Sequence, residues 1–181
     1  GIVSRMTAQK GFELLPDILP VFLKRKDLRL VVLGSGEERH ERYFQWLRDT
    51  FPDRVACYIG YQNELAHRIE AGADLFLMPS RYEPCGLNQM YSLRYGTLPI
   101  VHATGGLADT VQNYVEATGE GTGFVFHNLS VDSLANTIGW ALSTYHDRPD
   151  HFQALREQAM AQDFSWERAA GRYEELYREA Y

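Results

Sequence analysis

Short apolar, β-branched runs alternate along this chain with longer stretches of helical periodicity, and that alternation limits the fold more than any other feature. Residues 2–4, 28–33, 55–59, 73–78, 98–102 and 123–126 read as strands, and residues 11–24, 37–50, 63–71, 87–95 and 107–114 read as the helices between them. The strands are almost continuously hydrophobic, as expected of a parallel sheet covered on both faces. The expectation is a doubly wound α/β sheet, whose ligands bind outside the carboxyl ends of the strands. Gly72 and Gly96 each follow a helical stretch and are expected as left-handed caps. After Ser130 the strand pattern stops, and residues 131–145, 149–161 and 165–181 read as consecutive helices. Ser165 suits the N-cap of the last, which sets Trp166, Ala169, Ala170, Tyr173, Leu176 and Tyr177 on one stripe. Such a stripe must cover something, either this domain's own sheet or a second domain.

With 181 residues, 45% hydrophobic and 23% charged, the chain can bury one sizeable core, and residues 1–181 read as a single domain. A net charge of -6 argues against a partner held through nucleic-acid phosphates, which requires a clustered positive field. The densest basic cluster, Lys24-Arg25-Lys26, reads as the solvated end of a helix. Cys57 and Cys85 form no disulfide framework and stand at no metal-ligand spacing, which fits a reducing, cytoplasmic setting. The apolar runs at 30–33 and 75–78 fall far short of the ~20 residues of a membrane helix, and no signal peptide opens the chain, so no membrane partner is expected. Gly1-Ile2-Val3 reads as a buried strand already under way, which leads us to expect natural sequence upstream.

The chemistry-bearing residues cluster at predicted strand ends. Arg5 and Lys10 flank the loop after the first strand, where two cations suit a diphosphate and equally suit an ordinary surface. Gly34-Ser35-Gly36 reads as a turn that lets a ligand or a neighbouring loop approach closely. It is not a dinucleotide fingerprint, because Arg39 stands where the third glycine belongs. Tyr61 follows the third strand, either stacking on a base or packing on the surface. In Pro79-Ser80-Arg81-Tyr82-Glu83-Pro84-Cys85-Gly86-Leu87-Asn88-Gln89 a carboxylate precedes a glycine-opened helix. The free N–H groups of Cys85, Gly86, Leu87 and Asn88 suit an anion or sugar hydroxyls. Glu83 then either meets a sugar or caps the helix. Thr104-Gly105-Gly106 reads as a second such opening. A nucleophilic Cys85 has no sequence-local histidine to support it. No Asp-x-Asp and no histidines at zinc spacing occur, so no metal and no cofactor are indicated.

Together, Val3-Ser4-Arg5-Met6-Thr7-Ala8-Gln9-Lys10-Gly11, Ile59-Gly60-Tyr61, the Glu83-Pro84-Cys85-Gly86-Leu87 stretch, Arg94-Tyr95-Gly96-Thr97-Leu98-Pro99, Thr104-Gly105-Gly106-Leu107-Ala108-Asp109 and Asp163-Phe164-Ser165-Trp166 resemble, in order and spacing, the C-terminal domain of bacterial glycogen and plant starch synthases. The resemblance implies a Rossmann-like sheet with C-terminal helices, half of a retaining GT-B glycosyltransferase. That family moves glucose from ADP-glucose to the nonreducing end of an α-1,4-glucan without a metal. It implies that Arg5 and Lys10 hold the diphosphate, Tyr61 stacks on adenine, and Glu83 meets the glucose. The backbone of Cys85 and Gly86 would meet the glucose hydroxyls and that of Leu87 and Asn88 the phosphates. The wider superfamily often has a second glutamate, for ribose, eight positions after the first; here that position is Tyr91. The family's N-terminal, glucan-facing domain is not in these residues. The alternative reading is a stand-alone nucleotide or nucleotide-sugar binding module.

Overall fold

The computed structural model describes residues 1–25 and 27–180, so Lys26 of the basic cluster and Tyr181 of the last predicted helix lie outside the described residues. Among the described residues six strands form: β1 (Ile2–Met6), β2 (Leu30–Gly36), β3 (Val55–Ile59), β4 (Leu75–Met78), β5 (Leu98–His102) and β6 (Phe124–Phe126). Every ladder between them is parallel, in two three-stranded sheets, β1-β2-β3 and β4-β5-β6. The sheets meet at Gly1, whose nitrogen donates to the Leu75 carbonyl at 2.7 Å and whose carbonyl accepts from the Leu77 N–H at 2.9 Å. Those are the two bonds a parallel neighbour makes. The combined order is therefore β3-β2-β1-β4-β5-β6, with winding that reverses between β1 and β4. At that reversal a crevice opens outside the carboxyl ends of the strands. The expected doubly wound α/β fold is what forms.

Among the described residues eight α-helices form: α1 (Leu19–Arg25), α2 (Glu38–Thr50), α3 (Asn63–Gly72), α4 (Asn88–Tyr95), α5 (Gly105–Thr110), α6 (Val131–Asp147), α7 (Pro149–Met160) and α8 (Trp166–Ala180). The main core joins both sheets, with Phe12, Phe44, Leu93, Leu98, Phe124, Leu134 and Leu155 at its centre, and a smaller cluster gathers Val101, Leu107 and Val111. Lys24 and Arg25 fall in the last turn of α1, as the dipole favours.

Several sequence expectations are corrected. The helix expected at 11–24 breaks into 3-10 turns at Ala8–Lys10 and Phe12–Asp17 before α1 begins. Pro16 and Pro20 supply no N–H to an α-helical ladder across this stretch. Gly34-Ser35-Gly36 is the end of β2, paired with Ser4, Arg5 and Met6, and not a turn. Gly96 (φ 75°) ends α4 in the left-handed conformation, but Gly72 lies inside α3, which is closed by Ala73 at φ -87°. The fifth helix starts two residues earlier than expected and stops at Thr110, where Val111 is extended.

The largest departure is α8. Ser165 does cap it, accepting from the Arg168 N–H at 3.3 Å, but the helix has no buried residue. Trp166 is 84% exposed, and Tyr173, Leu176 and Tyr177 are exposed as well. Packing on this domain's own sheet is thus overturned, because α6 and α7 already cover that face against β5 and β6.

Candidate functional site

The loops after β1 and β4 are fastened together at the crevice. The Arg81 N–H donates to the Gln9 carbonyl at 2.9 Å, the Gln9 amide donates to the Tyr82 carbonyl at 3.0 Å, and Arg81 pairs with Glu13 at 2.6 Å. Gly11, at φ 73°, makes this approach possible, since a Cβ there would stand 1.9 Å from the Pro79 carbonyl oxygen. Glu37 anchors the other side by accepting from the Ala8 N–H at 2.8 Å, and that bond pulls its carboxyl below the usual range.

This fastening brings Lys10 against Glu83. Their side chains form an ion pair, both largely buried, and the Ser80 hydroxyl donates to the same carboxylate oxygen at 3.2 Å. The structure also separates the two readings of Glu83. The N-cap of α4 is Leu87, with no side-chain cap bond, so Glu83 does not cap that helix.

Among the described residues no protein acceptor takes the N–H of Cys85, Gly86 or Leu87, which leaves three donors at the mouth of α4. The Asn88 side chain is committed elsewhere, donating to the Val3 carbonyl at 2.8 Å and tying α4 to β1. Gln89, fully buried, was not singled out in the sequence. Its amide donates to the carbonyls of Cys85 and Gly86 at 3.0 Å each and to the Thr110 hydroxyl at 3.1 Å, so it holds the loop in shape. Its signal was an amide three residues after Gly86, at the start of the helix. The Cys85 thiol faces the Gly86 carbonyl at 3.6 Å, and among the described residues no base hydrogen-bonds to it.

The Thr104-Gly105-Gly106 opening is corrected. The Gly106 N–H donates to the Glu83 carbonyl at 3.0 Å, so it is not free for a ligand. A Cβ at Gly105 or Gly106 would stand 2.2 Å from the Glu83 oxygen or 1.9 Å from the Cys85 oxygen, respectively. These glycines admit the backbone of the Glu83 loop.

Two adjoining clefts result. One, of about 190 Å³, is lined by Arg5, Lys10, Ser80, Glu83, Gly86 and Leu87. The second, of about 290 Å³, is lined by Gly34, Gly60, Tyr61, His67, Glu70 and Tyr91, and shares Val3, Ser4, Arg5 and Asn88 with the first. Tyr61 is 86% exposed, so its ring is not packed on the surface. Gly34 lines this second cleft while its Cα faces the Ser4 backbone in the neighbouring strand. Glu70 is 2% exposed, and burial pushes its carboxyl up to about 7. A larger concavity of about 590 Å³ lies at the opposite, amino ends of the strands, around Gly1, Leu30 and Leu75. In a doubly wound sheet that is not where ligands bind.

Arrangement and sequence agree on a class. Residues 1–160 match the family model described as Glycosyl transferases group 1, and the chain belongs to that family. It is 51% identical over 177 residues to glycogen synthase 1 of Geobacter metallireducens, a match covering 98% of this chain and 35% of that protein. To the glycogen synthase of Treponema denticola it is 53% identical over 184 residues, covering 99% and 37%. Among solved structures, the catalytic domain of starch synthase IV from Arabidopsis thaliana, bound to ADP and acarbose, matches with a TM-score of 0.87 and 34% identity, covering 99% of this chain and 37% of that one. Sucrose-phosphate synthase from Thermosynechococcus elongatus matches less closely, with a TM-score of 0.67 and 26% identity over 99% of this chain and 45% of that one. The chain thus spans 35–37% of the length of these two glycogen synthases.

Proposed function

We propose that the chain is the donor-binding domain of a retaining GT-B glycogen or starch synthase, which moves glucose from ADP-glucose to the nonreducing end of an α-1,4-glucan. What carries this reading is the meeting of Arg5, Lys10, Glu83 and the open N–H groups of Gly86 and Leu87 around one cleft at the β1/β4 crossing. The match to a starch synthase solved with ADP supports the choice of nucleotide.

The chemistry follows from charge. The bond from the anomeric carbon to the diphosphate oxygen breaks, the electron pair leaves with ADP, and the acceptor hydroxyl oxygen bonds to that carbon as its proton passes to the departing diphosphate. Negative charge grows on the departing diphosphate, where Arg5, Lys10 and the N–H groups at the mouth of α4 are aimed. Positive charge grows on the sugar ring, where the Glu83 carboxylate is complementary. Without a donor, Lys10 and Glu83 neutralise each other. A bound diphosphate gives Lys10 a second anion and leaves Glu83 free to act on the sugar. In this reading the glucan is held by sequence outside these residues, and the exposed stripe of α8 meets that part. The two unpaired cysteines support a cytoplasmic setting.

Calorimetric titration tests the reading. ADP binds the chain, and Arg5→Ala weakens ADP more than adenosine, because the deleted bonds are charge-assisted ones to phosphate. Arg5 is preferable to Lys10, since removing Lys10 strands a buried carboxylate at a cost of about 3–5 kcal/mol and mixes folding with binding. Equal losses for both ligands would remove Arg5 from the phosphate site, and a chain that binds no ADP would overturn the reading.

A further inference from the structure

The second cleft contains a buried acid that the proposed reaction does not use. Glu70 sits on the last turns of α3, 2% exposed, and its Oε2 has no hydrogen-bond partner. The nearest group of opposite potential charge, His67 Nδ1, is 3.9 Å away, beyond hydrogen-bond reach, and also faces the Tyr95 hydroxyl at 3.4 Å. The Glu70 backbone carbonyl accepts from the Thr97 hydroxyl at 2.5 Å, which fixes the main chain and leaves the carboxyl uncommitted. A buried polar atom without a partner costs about 1–3 kcal/mol. An interior that tolerates one invites the question of what satisfies it.

Position supplies the answer. The cleft runs from Tyr61, at the end of β3, to Arg5 and Asn88, where it joins the cleft of Lys10 and Glu83. A nucleoside diphosphate with its base at Tyr61 and its diphosphate at Arg5 must lay its ribose between them, against the wall where Glu70, His67 and Tyr91 stand. A ribose presents vicinal hydroxyls, which are hydrogen-bond donors, and Glu70, lining the same cleft, holds a carboxyl oxygen without a partner. Resting on the nucleotide reading above, we propose that Glu70 recognises the ribose of the bound nucleotide, its carboxyl oxygen accepting a hydrogen bond from a ribose hydroxyl. Among the described residues the Glu70 carboxyl makes no side-chain hydrogen bond, so turning it to meet a ligand donor replaces an unpaired state. The site thereby selects ribonucleotides over deoxynucleotides.

The test is calorimetric titration of the chain and of Glu70→Leu with ADP and with 2′,3′-dideoxy-ADP. The wild-type chain is expected to bind ADP at least about tenfold more tightly than the dideoxy compound, the scale of a hydrogen bond to a carboxyl group. Glu70→Leu is expected to lose that preference by weakening ADP alone. Should Glu70→Leu fold poorly, Glu70→Gln, which keeps an acceptor, is expected to retain the preference. Wild-type binding of ADP without discrimination, or equal weakening of both ligands in Glu70→Leu, would overturn the assignment while leaving the nucleotide reading intact. Binding of neither ligand by the wild-type chain would overturn both.

Discussion

Tyr61 holds its ring almost wholly in solvent at the end of β3, an arrangement that loses apolar contact in the free chain and makes a flat face available. Tyr61→Ala is expected to weaken ADP by about 1–3 kcal/mol in a calorimetric titration, by analogy with base stacking elsewhere, and Tyr61→Phe to restore most of it. Unchanged affinity in folded Tyr61→Ala would remove the ring from the site. Glu70 gives a second residue-scale expectation. Its folded pKa, near 7, lies above its ordinary value of 4.5, so the folded state holds the proton more tightly. That stabilisation is present below pH 4.5 and is lost as pH rises to about 7. The charged or titratable groups nearest it are His67 at 3.9 Å and, lining the same cleft, Arg5. Glu70→Gln is therefore expected to raise Tm at pH 8 and leave it nearly unchanged at pH 4.5. An equal shift at both pH values would contradict a buried, proton-holding carboxyl. Glu70 was not legible in the sequence as part of a site, and Lys10 and Glu83 were each read as site residues but not as a pair. Lys10 and Glu83 are 73 residues apart, and only the pairing of two loops across the β1/β4 crossing unites them.

At the scale of elements, the strands could be read because burial on both faces leaves little but apolar residues in them. Their ends could not, since Gly34 and Gly36 look like turn residues but pair with Ser4 and Met6 in the sheet. The same ambiguity misled the reading of Gly105 and Gly106: close approach to a ligand and close approach to a neighbouring backbone make the same demand for glycine. The helix expected at 11–24 failed because its apolar spacing outweighed two prolines in the reading, whereas in the fold the missing N–H groups decide. The stripe on α8 was legible as a stripe, but its partner was not. With Trp166, Tyr173, Leu176 and Tyr177 exposed, replacing Tyr173 and Leu176 by serine is expected to shift the stability of this chain by no more than about 0.5 kcal/mol per site. Denaturant unfolding checks this. A loss of several kcal/mol would mean that α8 packs on this domain after all.

For the molecule as a whole, the crossing at Gly1 creates the site, because it sets the loops after β1 and β4 side by side at the carboxyl edge of one continuous sheet. Everything proposed for the donor lies on this chain: cations for the diphosphate, a ring for the base, a carboxylate for the sugar. Nothing proposed for the acceptor does. Holding an acceptor hydroxyl against the anomeric carbon can supply ~7–11 kcal/mol of the barrier, and in the proposed reading that hold comes from sequence outside these residues. The most direct measurement is transfer of labelled glucose from ADP-glucose to glycogen by a sample of this chain that binds ADP, with the full-length Geobacter metallireducens enzyme as positive control. The donor-domain account predicts bound ADP and no incorporation above the uncatalysed background, and steady incorporation by this chain alone would contradict it.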